Sequence, residues 1–130
     1  MPIQIIAPFR QTDSQGSGHY GASRGSRVHN GIDIACYPKS VVLSHVAGTV
    51  TKIGYPYADK LEFRYVEITD ESSLRHRFFY VDPLVKVGWP VKVGDQLGMT
   101  QELPYSGITQ HFHYEVKSNE GNYLDPNDYI

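Results

Sequence analysis

"QHFHYEV", residues 110–116, sets two histidines one residue apart in a run of aromatic and β-branched residues. In an extended chain the side chains alternate, so His111 and His113 share one face while Phe112 points to the other. Taken alone, the spacing fits a local site or two solvated histidines on a half-buried strand.

The same texture recurs outward from this segment. "VVLSHV", "TVTKIGY", "FRYVEIT", "RHRFFYV", "VKVG" and "QLGMT" are short apolar or alternating runs broken by turn residues, and none has helical periodicity. Twelve glycines, eight prolines and ten tyrosines suit an antiparallel sheet with tight connections. The chain therefore reads as mostly β. Residues 10–27, "RQTDSQGSGHYGASRGSR", hold four glycines and no apolar period, so a long irregular loop is expected there, of a length that is usually functional or disordered. The two copies of V-K-V-G at 85–88 and 91–94 are too short for a repeat array, and are expected as two short strands around a Trp89-Pro90 turn.

At 130 residues the chain fits a single domain, 1–130, with one core. Twelve basic against 14 acidic residues give a net charge of -2 with no basic block, which argues against a nucleic-acid partner. Cys36 is the only cysteine, so no intrachain disulfide forms, and a buried thiol is expected. No stretch approaches the roughly 20 apolar residues that cross a bilayer, and "MPIQIIAPFRQ" lacks the features of a signal peptide. No membrane insertion is expected, and the chain is expected to be made in the cytoplasm.

The chemistry concentrates in "RVHNGIDIA", residues 27–35. His29 and Asp33 would stand ~13 Å apart in a fully extended strand, so a bend is needed to bring them to one centre. Asn30-Gly31 is turn-prone and leaves Asp33 at the start of the apolar strand "IDIA". An aspartate between two isoleucines needs a partner or a metal if it is buried. His29, Asp33 and one histidine of the pair make three N/O ligands, the number a catalytic zinc takes while keeping a fourth position open. The other histidine then lies beside that position.

These motifs carry a resemblance. "YGASRGSRVHNGIDIA" resembles the region around the H-x-x-x-D motif of the lysostaphin/LytM-type zinc metallopeptidases, and "AGTVTKIG" their following hairpin. "FFYVDPLVKVGWPVKVGDQLG" resembles their Y-x-H-L segment and the glycine-punctuated stretch after it. "SGITQHFHYEV" resembles S-G-x-T-x-x-H-x-H-x-E-V, and "YLDPNDYI" the closing D-P-x-x-Y. The resemblance implies a compact antiparallel β-sheet sandwich of the duplicated hybrid motif type, and an endopeptidase acting on peptidoglycan peptides. It implies Zn2+ held by His29, Asp33 and His113, with His111 as general base.

One position departs from the pattern. Where the family carries a histidine thought to stabilise the oxyanion, this chain has Asp82. An ionised aspartate there would repel developing negative charge. Asp82 is then a carboxylic acid held protonated by its setting, or a group orienting His111, or the mark of a weakened site. His76 is six residues upstream and no direct replacement. His45 is expected to be structural or exposed. His19, Tyr20, Tyr80 and Tyr105 are candidates to border a substrate groove, and Arg24 and Arg27 to meet a substrate carboxylate. The expected protein is a monomer that acts on the cell wall after release, as a phage lysin or a virion component. The second reading is a non-catalytic relative that binds wall peptide or regulates a wall hydrolase. A third, a structural zinc closed by Cys36, is disfavoured because a step of three puts Cys36 on the face opposite Asp33.

Overall fold

The computed structural model describes residues 31–104 and 110–130, together with the backbone of 23–24 and 27–28. Every strand pairing among the described residues is antiparallel. β1 (Ser23–Arg24) and β2 (Arg27–Val28) form a small hairpin at the end of the expected 10–27 loop. The rest of that loop lies outside the described residues.

The larger sheet has seven strands. Six run in the order β12 (Tyr123–Leu124), β11 (His111–Lys117), β7 (Arg75–Phe79), β6 (Tyr65–Thr69), β5 (Gly48–Gly54) and β9 (Pro90–Val91). β3 (Ile32–Ala35) joins the sheet through β11. Tyr114 pairs with Ile32 and also with Phe78, so β3 and β7 lie on opposite edges of β11. The three-stranded sheet runs β4 (Val41–Leu43), β10 (Gln96–Thr100), β8 (Val81–Pro83).

Why the sheets face each other follows from the alternation along the strands. On β7 His76 and Phe78 are buried while Arg75, Arg77 and Phe79 are half-buried. Phe112, Tyr114 and Val116 of β11 join the same core as Ile32, Ile34, Val50, Val66 and Ile68. Val42, Val81 and Leu97 of the smaller sheet complete it, giving one sandwich core. Alternate residues on the other face of β11, including His111 and His113, point away from that core.

The V-K-V-G segments are corrected. Neither copy forms a strand of its own: the Trp89 amide donates to the Lys86 carbonyl at 3.1 Å and the Asp95 amide to the Lys92 carbonyl at 3.0 Å. Gly88 and Gly94, third in each turn, have φ of +94° and +92°. That is the position where a type II turn needs glycine. Each copy is a turn, and Pro90–Val91 between them is the short edge strand β9. At the end of the chain the D-P-x-x-Y motif caps a 3₁₀ turn, Pro126–Tyr129, with Asp125 accepting from the Asn127 amide at 3.0 Å. No helix of the described residues is long and apolar enough to cross a membrane.

Candidate metal centre and active site

Strand register builds the site. His113 stands directly opposite Asp33 and His111 opposite Ala35. Both imidazoles therefore reach the Asp33 carboxylate: Nδ1 of His113 is 2.8 Å from Oδ1, and Nε2 of His111 is 3.3 Å from Oδ2. Asp33 is 2% exposed and His111 4% exposed. The one-face expectation for the histidine pair holds, and the buried aspartate has the partners it needs.

Gly31 makes this approach possible. It is buried at a bend ahead of β3, where the Asn30-Gly31 dipeptide was expected to turn the chain. A Cβ there would stand 2.7 Å from Cε1 and Nε2 of His113, and would press on the Tyr114 carbonyl oxygen. Glycine is the only residue without that atom.

His113 is held from both ends, because its Nε2 is 3.0 Å from Oε1 of Glu115. Burial pushes its pKa down, but the hydrogen bonds and charges of Asp33 and Glu115 outweigh burial and raise it to about 9. Without a metal the ring is a cation at neutral pH, and a metal ion at Nδ1 would displace a proton.

Aromatic rings border the histidines. Phe79 packs edge-on to His113 with centroids 5.2 Å apart, and Tyr80 edge-on to His111 at 5.8 Å. Tyr80 has φ of +65°, an uncommon conformation for a bulky residue. Its amide donates to the Arg64 carbonyl and its carbonyl accepts from the Gln101 amide, both at 2.8 Å, which holds the strained turn from β7 into β8. Its hydroxyl lies 2.7 Å from that of Tyr57, and Phe63 packs edge-on to its ring at 5.7 Å. Tyr80 thus joins a partly exposed aromatic wall beside His111.

Asp82 sits on β8, opposite Met99, and is exposed. Among the described residues, the Asp33 carboxylate stands within ion-pair distance of His111. His76 is 1% exposed and turned into the core, and His45 is fully buried, which makes it structural. Cys36 is half-buried and packs against the core, and burial pushes its thiol pKa up. His19, Tyr20, His29 and Tyr105 lie outside the described residues, as do the side chains of Arg24 and Arg27. Sequence reasoning passed over Glu115, two residues after His113 on the same strand face. The i, i+2 spacing that linked the two histidines was also its signal.

The sequence pattern of Peptidase family M23 matches residues 27–126. The chain belongs to that family. The mouse leukocyte cell-derived chemotaxin-2 is 34% identical over 114 residues, a span covering 82% of this chain and 72% of the relative. Among solved structures, the catalytic domain of a prophage-encoded M23 protein, EnpA, from Enterococcus faecalis superposes with a TM-score of 0.74 at 21% identity. That match covers 98% of this chain and 95% of the other. The catalytic domain of lysostaphin from Staphylococcus simulans gives a TM-score of 0.66 at 20% identity, with 90% of both chains covered. The lysostaphin-type sandwich expected from the motifs is the fold of this M23 domain.

Among the described residues no group of three His, Cys, Asp or Glu side chains is arranged to hold a metal ion, and the expected third ligand, His29, lies outside them. The two expected donors that are described fit zinc. Their donor atoms are 2.8 Å apart, whereas bonds of ~2.1 Å to a tetrahedral zinc would place neighbouring donors about 3.4 Å apart. An opening of roughly half an ångström is enough.

Proposed function

We propose that this M23 domain is a zinc-dependent endopeptidase that hydrolyses peptide bonds in bacterial cell-wall peptidoglycan. The observation that carries the reading is the buried Asp33 carboxylate, shared between His111 and His113 on paired strands. His29, Asp33 and His113 are the assigned ligands. Zinc bound there supplies Lewis acidity to the scissile carbonyl and to water. His111 takes a proton from the attacking water and returns it to the leaving amine. Asp33 serves it through Oδ2, which holds the His111 ring in place while Oδ1 faces the metal side. Tyr80, supported by Tyr57, forms one wall for an extended peptide, and His19 and Tyr20 are the other residues assigned to substrate binding. The protein acts as a monomer on the wall after release, as a phage lysin or virion component.

A second reading is a zinc-binding relative without turnover, which binds wall peptide or regulates a wall hydrolase. Two observations favour it: the exposed Asp82 at the family's histidine position, and the likeness to a relative named as a chemotaxin.

The deciding experiment measures new amine groups released from purified peptidoglycan across pH, with zinc content determined beforehand. Release that stops with chelator and returns with zinc is expected. The His111→Ala protein should keep zinc and lose turnover. Stoichiometric zinc without amine release from any wall type at any pH would leave the second reading standing.

A further inference from the structure

A row of charged side chains crosses the outer face of the larger sheet and ends on His113. Thr51 on β5 donates to Oε1 of Glu67 at 2.9 Å. Oε2 of Glu67 accepts from Nε of Arg77 at 2.7 Å, and these two residues are direct cross-strand partners on β6 and β7. Arg77 is also the cross-strand partner of Glu115 on β11, with Nη1 3.7 Å from Oε2. Oε1 of Glu115 then reaches Nε2 of His113.

Buried ion pairs are poor evidence of stabilisation, because desolvation offsets most of their attraction. Glu67 and Glu115 are 6% and 5% exposed, so this row carries that cost. The two oxygens of Glu115 differ. Oε2 is buried without a hydrogen bond among the described residues, while Oε1 bonds to His113. The carboxylate is thus oriented for the histidine rather than for the arginine, and Arg77 provides the nearby positive charge that a buried carboxylate needs.

We propose that Glu115, braced by Arg77 and Glu67, is a positioning residue for the metal ligand His113. It retains the Nε2 proton and leaves Nδ1 as the atom presented beside Asp33. The inference rests on the zinc reading above. Carboxylate partners of metal-bound histidines fix the ring's tautomer and orientation, and losing one typically weakens metal binding by about 10–100-fold.

The test compares the parent with Glu115→Ala, Glu115→Gln, Arg77→Met and Arg77→Lys. Zinc affinity is read by competition with a chromophoric chelator, and the nitrogen-bound Nε2 proton of His113 by NMR in the metal-free protein. Glu115→Ala should weaken zinc about 10–100-fold and remove the slowly exchanging Nε2 proton signal. Glu115→Gln keeps the shape and an accepting oxygen, so it should lose less. Arg77→Lys should recover part of what Arg77→Met loses, which a purely structural role does not require. Equal zinc affinity in parent and Glu115→Ala, or an Nε2 signal that survives in Glu115→Ala, overturns the proposal. If the parent takes up no zinc, the metal reading fails separately, and the metal-free Nε2 signal alone decides the role of Glu115.

Discussion

The inner face of β11 carries a buried polar chain whose pH response follows from its hydrogen bonds. Oδ2 of Asp70 accepts from Nε2 of His76 at 2.8 Å, which leaves Nδ1 of His76 to accept from the Tyr114 hydroxyl at 2.7 Å. The Tyr114 oxygen then accepts from Nε2 of His45 at 2.9 Å. In that arrangement His45 is neutral, and its Nδ1 is buried beside the Tyr129 backbone. Burial, reinforced by nearby His76, lowers the His45 pKa from 6.5 to about 3. His76 is also lowered, because burial outweighs Asp70. A histidine depressed on folding contributes stability that is full above its unfolded pKa and lost as pH falls towards the folded value. For His45 the window runs from 6.5 down to about 3. At ~1.36 kcal/mol per unit, about 2–3 kcal/mol should be lost between pH 7 and pH 4.5. The perturbation is His45→Gln, whose amide can still donate to Tyr114 but does not titrate. The assay is urea unfolding of both metal-free proteins at the two pH values. The variant should be less stable at pH 7, by about 1–3 kcal/mol, yet lose about 2–3 kcal/mol less than the parent on acidification. His113, raised to about 9, has the opposite pH dependence, but it is common to both proteins and cancels in the comparison. Equal acid losses in the two proteins would refute the reasoning.

Gly31→Ala should force the His113 ring and the Tyr114 carbonyl apart, cost about 1–3 kcal/mol or more, and weaken zinc binding; an unchanged melting temperature and zinc affinity would count against the close approach. Gly94→Ala meets no atom within 4 Å, so its cost comes from the positive φ alone; about 1–2 kcal/mol is expected by denaturation, with catalysis and zinc content unchanged. Asp82→His restores the family's residue on β8 and should leave zinc binding as it is while raising wall hydrolysis, by up to about 10²-fold if the position serves the oxyanion. Unaltered amine release from zinc-loaded Asp82→His would show that the aspartate is not what limits turnover.

The sheet elements were legible wherever residues alternated. "RHRFFYV" and "HFHYEVK" became β7 and β11, because side chains that alternate in sequence also alternate between faces. V-K-V-G alternates too, but a glycine at its fourth place made the segment a turn, and the backbone conformation of Gly88 and Gly94 outweighed the β-branched valines. The site was legible where its partners lie on one strand, as with His111 and His113. Across strands it was not, because register is set by pairing between segments far apart in sequence. Nothing local in "VVLSHV" shows that His45 will bond to Tyr114, 69 residues away. Nothing in "RHRFFYV" shows that Arg77 will sit between Glu67 and Glu115.

The two faces of β11 give the proposed metal binding and the proposed turnover different supports. Its inward residues are fixed by the core and by the Asp70–His76–Tyr114–His45 chain, while its outward residues are fixed by Asp33 and by the row through Glu115. A strand held on both faces, and paired with β3 and β7 along both edges, keeps Asp33, His111 and His113 in register through pairings within the larger sheet. Asp82 belongs to that smaller sheet and points to solvent. A change at position 82 can therefore alter how the transition state is met while leaving the assigned metal ligands Asp33 and His113 as they are. A family member could lose turnover through that one position and still present an intact metal-binding face, so zinc content alone does not distinguish a peptidase from a peptide-binding relative.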